Sequence, residues 1–94
     1  MAQEVRRLTA GAMASIRYNG FQLRIYSNDH PPPHVHAIHG SGELRIILGD
    51  DENEAQIEKV LSPMKKTEAR NALIAVNENK KRLLEKWRAI YERD

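Results

Sequence analysis

Residues 21–48 read FQLRIYSNDHPPPHVHAIHGSGELRIIL, and this stretch decides the fold. In residues 21–27 apolar side chains alternate with polar or aromatic ones, which is typical of a half-buried β-strand. Three consecutive prolines follow at positions 31–33. Because proline cannot donate a hydrogen bond to a neighbouring strand, we predict that the first strand ends before them.

Two further strands are predicted after the prolines. Residues 34–39 alternate again, and residues 43–48 do the same beyond the flexible Gly-Ser-Gly sequence at 40–42. This spacing predicts a β-hairpin. Residues 56–61 fit a short strand and an extended segment equally well, so we expect a small antiparallel sheet of three to four strands.

The C-terminal half has helical spacing. Ser62 and Pro63 match a helix N-cap followed by a first-turn proline, which predicts a helix start there. A single helix to residue 92 would be about 40 Å long against about 20 Å for a six-residue strand. We therefore expect either a break near residues 77–79 or an overhanging helix. The apolar stripe that would cover the sheet comprises Ala69, Ala72, Leu73, Val76, Leu83, Leu84, Trp87 and Ile90 or Tyr91.

These elements predict an α+β fold, with the sheet followed by one C-terminal helix or tandem helices packed on one face. The 94 residues are enough for one domain. We assign residues 16–94 to a single α+β domain and residues 1–15 to an N-terminal arm that need not be ordered. Trp87 is expected to anchor the core.

The composition limits the class of function. The chain has no cysteine, which excludes disulfides, thiol nucleophiles and cysteine-bound metals. Fifteen basic and 13 acidic residues give a net charge of +2, which is too balanced to argue for nucleic acid by itself. No apolar run approaches the roughly 20 residues that span a membrane. We therefore expect a cytoplasmic protein that has no membrane partner.

The four histidines, His30, His34, His36 and His39, lie within ten residues, next to Asp29. His34 and His36 are two residues apart on a predicted strand, so their side chains leave the same face with Cα atoms about 6.5–7 Å apart. Such a pair could share an ion with Asp29 or His30 as a further ligand, and two histidines with a carboxylate suit zinc or non-haem iron. His39 has the opposite parity and joins them only if the strand bulges.

The outward face of the predicted sheet could also bind an anion without metal. The other side chains that share the parity of His34 and His36 are Arg24, Tyr26, Glu43 and Arg45. The arginines could hold a phosphate while His34, His36 and Glu43 supply an acid and a base. The predicted binding residues are Arg24, Tyr26, Asp29, His30 and Arg45. A polar outward face is also what an ordinary antiparallel sheet presents to solvent, so a structural role stays open.

The sequence RIYSNDHPPPHVH at residues 24–36 resembles the signature of a bacterial family of domains of unknown function, numbered four-one-six-zero. That signature is an acidic residue, a short proline-containing turn and then P-H-V-H or P-H-F-H. Residues 42–48 and 83–87 are similar to the family's next strand and closing helix. Arg45 and Ile47 stand where members often have an apolar or aromatic residue. The resemblance covers roughly residues 17–91.

The resemblance implies a short bacterial cytoplasmic protein, often encoded beside another small protein in an arrangement similar to toxin–antitoxin pairs. The resemblance implies no particular reaction and no catalytic residue for this chain. Our leading hypothesis is a component of such a pair that acts through a small protein partner, using the histidine turn and the outward sheet face. The alternatives are a metal-dependent or nuclease-like enzyme that uses Asp29, His34 and His36, with nucleic acid as a partner, and a metal-binding module without catalysis.

Overall fold

The computed structural model describes residues 12–91 of the chain. Five antiparallel strands form one sheet in the order β1-β2-β3-β4-β5, and two helices follow it. This confirms the predicted α+β class, with five strands instead of three to four. The elements are β1 (Ala12–Tyr18), β2 (Phe21–Tyr26), β3 (His34–His39), β4 (Gly42–Ile47), β5 (Gln56–Ser62), α1 (Lys66–Glu78) and α2 (Lys80–Tyr91).

Strand β1 was not predicted. It forms a hairpin with β2 around Asn19 and Gly20, which have φ angles of +48° and +85°. Positive φ at both central residues is typical of the tight turns that join two strands. Residues 12–15, which we assigned to the N-terminal arm, therefore belong to the sheet, whereas residues 1–11 lie outside the described part of the chain. Residues 12–15, Ala-Met-Ala-Ser, have low strand propensity, so no strand was predicted there.

The first helix begins later than the capping pattern predicts. Ser62 is the last residue of β5 and pairs with Glu43, and the helix begins only at Lys66. The prediction of a helix start at Ser62 and Pro63 is therefore wrong, because Ser62 pairs with β4 as part of the edge strand.

The predicted break between two helices is confirmed at Asn79. Its backbone N–H donates to the carbonyl oxygens of Ala75 and Val76, and its side-chain amide donates to the same Ala75 carbonyl at 2.9 Å. Asn79 is buried, so these contacts satisfy polar groups that water cannot reach. The break at Asn79 separates α1 from α2.

The helices cover one face of the sheet, as the apolar stripe predicts. Helix α1 packs on β2, β3 and β4, and Trp87 of α2 is a core residue that is only 1% exposed. None of the described helices is long and apolar enough to cross a membrane. The buried residues that form this interface are Phe21, Leu23, Ile25, Val35, Ala37, Leu44, Ile46, Ala72, Ala75, Val76, Leu83 and Trp87.

The loop after β4 depends on a glycine. Gly49 has a φ of +77°, and a Cβ atom there would lie 2.2 Å from the carbonyl oxygen of Asn53. Gly40 has a φ of +58°, but a Cβ atom there would have nothing within 4 Å. We expect Gly40→Ala to lower the free energy of unfolding by about 1 kcal/mol, the cost of a left-handed alanine, and Gly49→Ala to lower it by clearly more. Urea unfolding of both variants measures the difference, and equal losses would contradict the steric argument.

Candidate metal centre

Asp29, His34 and His36 meet where the proline turn enters β3. Asp29 lies in the segment between β2 and β3, and the two histidines belong to β3 itself. His36 pairs with Arg24 of β2 and with Arg45 of β4, and His34 pairs with Ile47 of β4, so these ladders fix the backbone positions of the histidines. The side chains of His34 and His36 lie on the same face of the strand and face the same carboxylate, as strand parity predicts.

The three side chains approach one another through one atom each. The Nε2 atoms of His34 and His36 lie 3.0 Å and 3.4 Å from Oδ2 of Asp29. All three atoms lie within 4.8 Å of one another. The histidine rings are tilted against each other, with centroids 5.7 Å apart. The cluster therefore has one oxygen and two nitrogens directed at a common point.

These atoms are buried and unpaired. His34 and His36 are only 5% and 7% exposed. Oδ2 of Asp29 and both Nε2 atoms are shielded from solvent and have no hydrogen-bond partner among the described residues, since short distances alone do not supply the alignment that a hydrogen bond needs. A buried polar atom without a partner costs about 1–3 kcal/mol. His36 pairs with Arg24 and Arg45, so the histidines keep the predicted outward parity, but they are buried there and are not ordinary surface residues.

The contacts of the Nδ1 atoms of His34 and His36 determine which ring nitrogen carries the proton. Nδ1 of His34 lies 2.9 Å from the carbonyl oxygen of Pro32, and Nδ1 of His36 lies 2.9 Å from Oε2 of Glu43. A carbonyl oxygen and an ionised carboxylate can only accept, so we assign the proton to Nδ1 in both rings. A ring that carries its proton on Nδ1 alone directs the lone pair of Nε2 towards Asp29.

The two contacts with Asp29 have the spacing of ligands that share a metal ion. A tetrahedral ion that is 2.0–2.1 Å from each nitrogen or oxygen ligand separates its ligands by about 3.3 Å, and the two distances to Asp29 are 3.0 Å and 3.4 Å. A proton is the simplest other cation, and it would join one histidine to Asp29. It would still leave the second Nε2 atom without a donor, so one proton does not satisfy the cluster.

Helix α2 supports the cluster from the C-terminal end of the described chain. The hydroxyl of Tyr91 accepts the backbone N–H of Asp29 at 2.8 Å and donates to the carbonyl oxygen of Tyr26. Burial raises the pKa of the Tyr91 hydroxyl, which keeps it protonated as a donor. Trp87 stacks on Tyr91 with centroids 4.1 Å apart and lies 5.3 Å from the ring of His34. The sequence pattern places Tyr91 only in the packing stripe, because no local pattern shows a contact 62 residues away.

Two other predicted site residues contact the cluster through His36. Glu43 accepts from Nδ1 of His36. The ring of Tyr26 packs against that of His36 edge to face, with centroids 4.6 Å apart. Both residues therefore orient a histidine and are not part of the group of converging donor atoms.

The two predicted anion-binding arginines flank His36 across the sheet. Their guanidinium groups have side-chain partners: Arg24 donates to Gln22 at 2.7 Å and to the hydroxyl of Tyr26 at 3.4 Å. Arg45 donates to Glu58 at 2.8 Å. An anion would have to compete with these contacts.

His30 and His39 lie apart from the cluster. His30 is exposed, and its Nδ1 atom is 3.4 Å from the carbonyl oxygen of Pro31. The ring of His39 packs on Phe21 with centroids 5.1 Å apart, and its Nδ1 atom lies 3.6 Å from Glu68 of α1. Of the four predicted metal ligands, the structure brings together Asp29, His34 and His36.

Comparison with known proteins gives one match. A family model described as Domain of unknown function (DUF4160) matches residues 20–88. This range includes the cluster and Glu43 and ends three residues before Tyr91. No curated protein and no solved structure matches the chain.

The support from α2 can be tested by removing one hydroxyl. We expect Tyr91→Phe to lower the free energy of unfolding by about 1–3 kcal/mol, because the amide of Asp29 loses its acceptor. Amide hydrogen exchange at Asp29 should also become faster. Tyr18→Phe is the matched control, since it removes an exposed hydroxyl that binds Glu78. Unchanged exchange at Asp29 in Tyr91→Phe would contradict the supporting role.

Proposed function

The chain belongs to the DUF4160 family, a family of domains of unknown function, and we propose that it binds one divalent transition-metal ion through Asp29, His34 and His36. The observation that carries the proposal is the convergence of three buried acceptor atoms without a partner. Two imidazoles and one carboxylate form a ligand set that suits zinc or non-haem iron. A bound ion would supply the positive charge that the three acceptors lack.

The contacts behind the histidines support this proposal. Histidines that bind metals commonly donate their second ring N–H to a carbonyl or carboxylate oxygen, which fixes the tautomer and the orientation of the ring. His34 has such a contact with Pro32, and His36 has one with Glu43. These contacts hold both Nε2 atoms towards the position that the ion would occupy.

Burial favours a metal-binding module without catalysis. A catalytic zinc ion keeps a coordination position open to water or substrate, whereas all three donor atoms of this cluster are shielded from solvent. Three protein ligands do leave a fourth tetrahedral position, and this favours the metal-dependent or nuclease-like enzyme as the second candidate. Cleavage of RNA or plasmid DNA that is lost in His34→Ala and His36→Ala would support the enzyme.

The toxin–antitoxin-like partnership, the bacterial origin and the cytoplasmic location stay predictions from the family resemblance. Co-purification with the product of the neighbouring gene tests the partnership.

Zinc titration tests the ligand set. Chelator-treated protein is expected to bind one zinc ion per chain in competition with a chromogenic chelator, and zinc should raise its melting temperature in a way that EDTA reverses. Asp29→Asn, His34→Ala and His36→Ala should each weaken binding by more than about 100-fold, which exceeds the usual effect of outer contacts.

His30→Ala is the matched control, since it removes an exposed histidine from the same turn. Circular dichroism of each variant shows whether the fold is retained. Zinc affinity that is equal in the wild type and in all three ligand variants would contradict the proposed site.

The orienting role of Glu43 gives a separate prediction. Glu43→Ala is expected to weaken zinc binding about 10–100-fold, because His36 loses the acceptor that holds its proton on Nδ1. Glu68→Ala is the control, since Glu68 lies 3.6 Å from His39, outside the cluster. Equal zinc affinities of the two variants would rule out this role of Glu43, while the ligand set is tested by the titration above.

A further inference from the structure

Strand β5 is an edge of the sheet, and no other strand among residues 12–91 pairs with its outer side. It is last in the strand order, and residues 56–61 are all exposed. Ile57, Val60 and Leu61 are 37%, 56% and 39% exposed, and they are three of the four exposed large apolar side chains in the described part of the chain. An edge strand has backbone N–H and C=O groups available on its outer side, which makes it a template for another strand.

The apolar side chains of β5 continue the core face of the sheet. Ile57 pairs with Ile46, and Val60 pairs with Leu44. Ile46 and Leu44 are almost fully buried. Paired residues of neighbouring strands share a face of the sheet, so Ile57 and Val60 extend the apolar face beyond the region where α1 packs.

The charged side chains of β5 lie on the other face. Lys59 pairs with Arg45, and Glu58 accepts from Nε of Arg45 at 2.8 Å. The pairing register shifts at this point, so Glu58 is an extra residue in the strand, and two successive charged side chains share one face.

The order Ile57, Glu58, Lys59 and Val60 is self-complementary when two copies of the strand pair in antiparallel orientation. A two-fold axis between Glu58 and Lys59 places Ile57 opposite Val60 of a second copy and Glu58 opposite Lys59 of that copy. Apolar side chains then meet on one face and opposite charges on the other, and both kinds of cross-strand pair are stabilising.

We propose that the chain forms a symmetric homodimer in which β5 pairs with β5 of a second copy, centred on Glu58 and Lys59. The two register shifts in β5 limit the regular ladder to a few residues, because bulges disrupt edge pairing. The interface is therefore small and the association weak. The pairing of Glu58 with Lys59 across the axis favours a second copy of this chain over an unrelated strand. The inference does not depend on metal binding.

Charge reversal tests this interface. Sedimentation of the full chain from about 10 μM to about 1 mM should show a concentration-dependent dimer. Glu58→Lys and Lys59→Glu should each weaken dimerisation about 10-fold or more, because two like-charged pairs replace two attractive ones. The double variant E58K/K59E restores opposite charges across the axis and should dimerise as the wild type does.

Ile74→Glu is the control, since Ile74 is the fourth exposed large apolar residue but lies on α1; this variant should keep the dimer. Thermal melts of each variant separate loss of pairing from loss of the fold. A wild-type chain that stays monomeric at every concentration overturns the proposal. A folded double variant that fails to recover dimerisation overturns it as well, as does a dimer that neither single reversal weakens.

Discussion

The approach of Asp29 to the two histidines of β3 is the constraint on which the rest of the site depends. An ionised carboxylate and two lone pairs repel one another when they are brought together away from water. The fold nevertheless holds them there, with Nε2–Oδ2 distances of 3.0 Å and 3.4 Å. A positive charge at this point would relieve the repulsion, and this is the physical basis of the proposed metal site.

Three separate parts of the fold produce this arrangement. The two-residue period of β3 aligns His34 and His36. The proline turn returns the chain so that Asp29 faces them, and the carbonyl of Pro32 orients His34. Helix α2, which follows the break at Asn79, brings the hydroxyl of Tyr91 to the amide of Asp29. The site therefore depends on elements from both halves of the sequence.

The sequence predicts what depends on local periodicity. Alternation in β2, β3 and β4 and the common face of His34 and His36 follow from spacing within a few residues, and the break between the helices was one of two outcomes expected from helix length. Strand β1 was not predicted, because its first residues, 12–15, are small and have low strand propensity. Ser62 fits a helix N-cap locally, whereas its edge pairing with Glu43 depends on a distant part of the chain. The burial of the histidines and the role of Tyr91 depend on long-range packing, which periodicity does not show.

The stacking of Trp87 has a spectroscopic consequence. It is the only tryptophan in the chain, and its ring lies 5.3 Å from that of His34. Indole emission responds to nearby charge and polarity, so a fluorophore is already built in beside the cluster. Occupancy of the site by an ion can therefore be followed optically in the unlabelled protein.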